Sequence, residues 1–143
     1  MAEIQMPPHV QAAYKDAVDN TIFHQRQQWV ATNYALLIYA AAFVISAKFF
    51  SRTDVARGWL GFLVVLTFVY HLVTINLLQG TVTRFRDRLD WIYRTYFSTE
   101  EQAGLKLWPE PRPFLYEWIV PVGLVAVSLI AATLTLIYLF SVR

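Results

Sequence analysis

Three apolar runs, each long enough to cross a lipid bilayer, constrain this chain more than any other feature. They occupy residues 29–50, 58–79 and 114–140. A bilayer core is about 30 Å thick, and a helix needs roughly 20 mostly apolar residues to cross it. The middle of each run contains no Asp, Glu, Lys or Arg, whereas a helix of a soluble bundle needs a polar face. The sequence therefore predicts an all-α, polytopic membrane protein with three transmembrane helices.

The segments outside these runs complete the predicted organisation. In residues 1–28 apolar positions recur every three or four residues after Pro7 and Pro8, which predicts an amphipathic N-terminal helix. This helix either lies along the membrane surface or continues into the first span. We expect a short loop at 51–57, a cytoplasmic helical extension ending in a Pro-rich connection at 80–113, and a tail at 141–143.

The distribution of basic residues predicts the orientation. The N-terminal segment and residues 80–113 lie on one side of the membrane if there are three spans, and they carry eight Lys and Arg, against four on the other side. Basic residues are enriched in cytoplasmic loops. We therefore expect a cytoplasmic N-terminus and an outside C-terminus, in a bacterial inner membrane. The first residues have no basic stretch before a short apolar core, so a cleaved signal peptide is not expected.

Composition excludes several classes of function. The chain has no cysteine, which rules out thiol nucleophiles and cysteine-ligated metals. A net charge of +2, with the basic residues spread along the chain, does not indicate nucleic-acid binding. Spacings typical of phosphate-binding loops, nucleophile elbows or zinc hydrolases do not occur. We therefore expect a protein that is not an enzyme and holds no metal.

Polar residues close to or inside the predicted spans mark the candidate site. Such residues are costly in lipid and usually have a role. On the predicted topology they lie at similar depth, in or near the cytoplasmic half of the membrane. An Arg–Glu pair with neighbouring amide and imidazole groups would hold three helices in register through interhelical contacts. A proton or ion path, or contacts with partner proteins, are the alternatives. The cluster comprises Arg26, Asn33, His71, Asn76 and Glu117.

His71 also suggests a cofactor ligand. A neutral imidazole in an apolar helix is a common axial ligand of haem and of chlorophyll-type pigments. The other histidines, His9 and His24, precede the first span. An interhelical hydrogen bond is the commoner role of a lone membrane histidine, so no cofactor is expected.

Two further groups of residues have predicted roles, one in helix packing and one in contact with lipid headgroups. Small side chains let membrane helices approach closely, and this predicts packing positions at Ala41, Gly61, Gly123 and Ala131. Arginines just outside a span can contact anionic lipid headgroups, and those in question are Arg84, Arg86 and Arg88. A solvated helix with local ion pairs explains these arginines equally well.

The sequence predicts a non-catalytic membrane protein that acts through helix assembly. It would be an accessory or scaffold subunit, in contact with membrane lipids and with copies of itself or other membrane subunits. One alternative is an oligomeric pore-forming or membrane-perturbing protein, for which threonines in the spans provide polar groups. A further alternative is a pigment-binding subunit that uses His71.

Overall fold

The computed structural model describes residues 6–49, 54–98 and 114–141, and they form three long helices. These are α1 (Pro8–Phe49), α2 (Asp54–Tyr96) and α3 (Phe114–Ser141). All three are long and apolar enough to cross a membrane, which confirms the predicted all-α class and three spans. Residues 54–57, predicted as part of the short loop, form the first turn of α2. Residues 1–5, residues 51–53 of that loop, the Pro-rich connection and the last two residues lie outside the described residues.

The helix α1 begins at a proline and continues without a break for 42 residues. The amides of Val10 and Gln11 donate to the Pro7 carbonyl and close the first turn. Proline suits this position because the first N–H groups of a helix have no intrahelical partner. The helix passes through residues 28 and 29 with no interruption. Of the two arrangements left open for the N-terminal segment, the structure therefore shows continuity with the first apolar run.

The contacts between helices establish their directions. Tyr14 meets Tyr93 and Gln28 meets Gln79, so α2 runs antiparallel to α1. Tyr39 bonds to Ser128, eleven residues further along α3 than Glu117, whose carbonyl lies at the level of Gln79. The helix α3 therefore runs parallel to α1.

The described residues form a part with three helices and a part with two. At 1.5 Å per residue, α1 and α2 extend about 25–30 Å beyond the level where Gln79 meets α3. We call residues 8–27 of α1 with 80–96 of α2 the arm, and residues 28–49, 54–79 and 117–141 the three-helix unit. The arm is packed along its own seam, which buries Val10, Ala17, Val82 and Ile92.

Small side chains allow the helices of the three-helix unit to approach closely. Its apolar core consists of Ala35, Tyr39, Ala42, Val64, Ala132 and Leu139. Of the predicted packing residues, Gly61 is buried, and a Cβ there would lie 3.2 Å from the Phe140 ring. Ala131 packs against the core. Ala41 and Gly123 differ from the prediction: both are exposed, and the space beside Gly123 is open.

Candidate functional site

A chain of buried amide groups joins all three helices where the arm meets the three-helix unit. The side-chain amide of Gln28 donates to Gln79 Oε1 at 3.1 Å, and Gln79 Nε2 donates to the backbone carbonyl of Glu117 at 2.9 Å. Gln28 and Gln79 are both nearly inaccessible. Each glutamine amide group thus donates one hydrogen bond, and buried polar side chains need such partners to avoid a large penalty.

Pro121 explains why the Glu117 carbonyl accepts a hydrogen bond from another helix. In an α-helix this carbonyl would accept from the amide of residue 121, four positions later. Proline has no N–H, so the intrahelical bond is missing. The Gln79 side chain supplies the replacement donor. A proline inside α3 and a glutamine on α2 are thus two parts of one contact.

A second contact lies deeper in the three-helix unit and involves His71. Thr32 Oγ1 lies 3.0 Å from His71 Nε2, and the Thr32 hydroxyl also donates to the Gln28 carbonyl at 2.9 Å. Since the hydroxyl has one proton and it is used on that carbonyl, Thr32 accepts from His71. The imidazole is therefore protonated at Nε2, and in the neutral ring Nδ1 carries a lone pair. Nδ1 is buried without a hydrogen-bond partner among the described residues.

The third contact joins α1 to α3 further into the unit. The hydroxyls of Tyr39 and Ser128 are 3.1 Å apart, and both side chains are buried. Tyr39 also belongs to the apolar core. Hydrogen bonds of this kind fix the register of membrane helices, because apolar packing against lipid-like neighbours discriminates poorly between registers.

The predicted polar cluster is divided by the structure. His71 is buried and bonds to α1, and Glu117 joins α2 through its backbone carbonyl. Three other members differ from the prediction, because Arg26, Asn33 and Asn76 lie on the exposed surface. The Asn76 amide donates to the Leu72 carbonyl of its own helix at 2.8 Å. Helix phase is the physical reason: each residue turns the side chain by about 100°, so Asn33 points away from the seam that Thr32 faces.

Apart from His71, the side chains that make the interhelical hydrogen bonds do not belong to the predicted cluster. They are Gln, Thr, Tyr and Ser side chains, whereas the predicted cluster consists of charged residues, two asparagines and a histidine. A periodic signal was present on α2, where the buried positions recur every three or four residues. They are Gly61, Val64, Thr67, His71, Ile75, Gln79 and Val82.

The three predicted headgroup arginines have different surroundings. Arg84 is exposed. Arg88 lies 3.7 Å from Asp16 across the arm, and both side chains are more than half exposed, so this ion pair contributes little to stability. Arg86 lines a cavity of about 180 Å³ with Gln28 and Gln79. Contact of these arginines with lipid headgroups stays a prediction.

The surroundings of His71 bear on the pigment alternative. Its Nε2, the usual iron-ligating nitrogen of a haem protein, is engaged by Thr32. Among the described residues, no group of three or more His, Cys, Asp or Glu is arranged to hold a metal ion. Compared with known protein families, curated proteins and solved structures, the chain matches none of them.

Proposed function

We propose that this protein is a non-catalytic membrane scaffold that assembles laterally, with copies of itself or with other membrane subunits, through the outer face of α1. The observation that carries the proposal is the position of Asn33, an amide exposed on the outside of an apolar helix. Arg26, seven residues earlier, is exposed on the same face of α1. Both side chains therefore point away from the other two helices of the chain.

The depth of Asn33 supports this interpretation. The apolar segment of α3 extends over 25 residues from Glu117 to Ser141, or about 37 Å. A hydrocarbon core of about 30 Å, centred on this segment, begins about 4 Å beyond the level of Glu117. Gln28 lies at the level of Glu117, to which it is linked through Gln79. Asn33 is five residues after Gln28, or about 7 Å further into the membrane. The amide thus falls inside the hydrocarbon, while Arg26 falls in the headgroup zone.

The energetics favour a partner for this amide. Lipid chains offer no hydrogen bonds, so a side-chain amide facing them loses its interactions with water and gains none. An asparagine on a neighbouring helix restores these bonds, and polar side chains of this kind join membrane helices. A second chain packed on the outer face of α1 would therefore cover Asn33.

The arm provides the contact surface of the proposed scaffold. Its two helices are held together by the Tyr14–Tyr93 hydroxyl contact at 2.8 Å and by stacking of His24 on Phe85. Side chains of Ile22, Phe23 and Trp91 are more than half exposed on it. Apolar groups presented on a packed helical pair are suited to binding another protein.

The buried threonines favour a scaffold over a pore. Thr32 is bonded to His71, and the Thr135 hydroxyl donates to the Ala131 carbonyl of its own helix. Thr67 is also buried, although it lines an open groove between α1 and α2. The Thr32 and Thr135 hydroxyls are engaged within the three-helix unit and are not available to line a path between copies.

The proposed orientation places the arm and the N-terminus in the cytoplasm and the C-terminus outside, in a bacterial inner membrane. The chain has no cysteine, so single cysteines report the sidedness without background. In intact cells, an impermeant maleimide should label Asp54→Cys, at the exposed start of α2, and should leave Lys15→Cys, in the arm, unlabelled. The opposite labelling would reverse the orientation.

Native mass spectrometry of the gently extracted protein tests the assembly. We expect the wild type as a complex of several chains, and we expect Asn33→Leu to weaken it. Interhelical hydrogen bonds in membranes contribute about 1–2 kcal/mol in model peptides, which corresponds to roughly fivefold to thirtyfold in the dissociation constant. Thr133→Val is the matched control, because Thr133 is an exposed polar residue of α3 whose hydroxyl can bond to its own helix. A monomeric wild type, or equal effects of the two variants, would refute the proposal.

A further inference from the structure

A groove of about 510 Å³ lies between α1 and α2, and all its lining residues belong to these two helices. Tyr34 and Tyr70 line it and are 64% and 70% exposed, so the groove opens on the outer surface of the three-helix unit. Its volume is within the range of about 300–1,000 Å³ that is typical of small-molecule sites. In a membrane, a ligand enters such a groove from the lipid.

Two imidazole rings line this groove, and each has a buried nitrogen without a hydrogen-bond partner among the described residues. These nitrogens are His71 Nδ1 and His24 Nδ1. His71 is 2% exposed, and Thr32 holds its ring in place at the other nitrogen. A buried polar atom left unpaired destabilises a fold. Protein atoms cover His71 Nδ1, so a ligand bonds to it and recovers this energy when the lining side chains shift.

The protonation of His71 determines what such a ligand must offer. The Thr32 proton is used on the Gln28 carbonyl, so His71 donates through Nε2 and Nδ1 is an acceptor. A carbonyl, ether or ester oxygen has no proton to give and cannot satisfy this nitrogen. A hydroxyl or an N–H group can.

The position of His71 adds a second requirement. It lies eight residues before Gln79 on α2, or about 12 Å further into the membrane, and therefore in the hydrocarbon region. Apolar side chains such as Ile38 and Leu78 line the groove together with the two tyrosine rings. A flat or chain-like lipophilic body fits these walls, whereas a charged headgroup does not reach this depth.

From the groove, its depth and the acceptor at His71, we infer that this protein binds a lipophilic alcohol or phenol, whose hydroxyl donates to His71 Nδ1. The tyrosine rings at the mouth contact the body of the ligand, and its apolar remainder lies along α1 and α2. Asn33, which carries the proposed assembly, does not line the groove, whereas Phe23 of the arm lies at its edge.

A pair of probes that differ in one hydrogen bond tests the inference. A long-chain alkylphenol and its O-methyl ether have the same lipophilic body, but only the phenol donates. The protein in lipid nanodiscs should retain the phenol at least about tenfold more tightly than the ether, because a net bond energy near 1.4 kcal/mol corresponds to a factor of ten. Equal retention of the two probes would overturn the inference.

Two variants locate the site and separate binding from folding. In His71→Gln the side-chain amide can take the place of Nε2 and keep the bond to Thr32, but the acceptor at the Nδ1 position is lost. This variant should remain folded and should bind phenol and ether equally. Ala31→Trp fills the groove from a partly buried lining position and should lower retention of both probes to that of empty nanodiscs.

The remaining outcomes are equally decisive. Preference for the phenol in His71→Gln would place the hydroxyl elsewhere and overturn the assignment of Nδ1. Retention in Ala31→Trp equal to wild type would mean that the probes dissolve in the surrounding lipid. If the wild type retains neither probe above empty nanodiscs, the groove holds only lipid chains or water, and the inference is wrong.

Discussion

Replacing Gln79 by methionine tests whether the glutamine compensates for the proline in α3. Methionine has a similar length but cannot donate to the Glu117 carbonyl or accept from Gln28, the two bonds that Gln79 makes at 2.9 and 3.1 Å. The substitution removes both hydrogen bonds, and each loss costs about 1–3 kcal/mol. We expect the free energy of unfolding to fall by about 2–6 kcal/mol.

Pro121→Ala supplies the control, because it restores the amide that bonds the Glu117 carbonyl within α3. In the Pro121→Ala background, Gln79→Met removes the hydrogen-bond partner of the Gln28 amide only. It should therefore destabilise the protein less than the same substitution does in the wild type. The difference between the two backgrounds, a coupling free energy, is expected to be about 1–3 kcal/mol. Distant sites without shared partners add to within about 0.3–0.5 kcal/mol, so the predicted coupling exceeds this error.

The assay is reversible unfolding in mixed micelles with an increasing fraction of denaturing detergent, followed by helix circular dichroism. Measurements on the wild type, both single variants and the double variant form a double-mutant cycle. If the two substitutions are additive to within about 0.5 kcal/mol, the Gln79 side chain does not replace the missing amide of Pro121, and the account of this contact is refuted.

One further hydrogen bond and one buried position of the arm also give predictions about stability. Tyr39→Phe and Ser128→Ala should each destabilise the three-helix unit by about 0.6 kcal/mol, and by at most about 1.7. The double variant should lose less than the sum in the same unfolding assay, since neither partner is then left unpaired; a full sum would contradict the bond. Ala17→Leu should overpack the arm, where Ala17 is fully buried, by about 1–3 kcal/mol. Hydrogen exchange should accelerate in the arm alone, whereas Ala12→Leu, at an exposed position of α1, should leave it unchanged.

Much of the fold follows from local properties of the chain. Apolar runs of bilayer length determine the number of helices. A backbone that crosses lipid finds no hydrogen bonds from water, and a helix satisfies its N–H and C=O groups within the segment. The helical start at Pro8 is equally local, since a proline suits the first turn. The structure confirms three helices long and apolar enough to span a membrane.

The candidate site was harder to predict, and Asn33 and Thr32 show why. The side chains of these neighbours in sequence are turned by about 100° from each other: Thr32 is buried against His71, whereas Asn33 is exposed. In a soluble protein, alternation of polar and apolar residues would reveal the inward face. A membrane helix has apolar groups on both faces, because lipid is as apolar as the protein interior.

The sequence by itself determined the helical class, the number of apolar spans and the exclusion of cysteine chemistry, since each depends on composition or on local periodicity. Only the tertiary structure decided how each helix is rotated, which polar groups meet, and that Gln79 completes the hydrogen bonding of a carbonyl released by Pro121. The physical reason is that rotation in lipid depends on a few hydrogen bonds between residues 38 to 89 positions apart. Hydropathy is nearly uniform around these helices, so it does not predict which residues form those pairs.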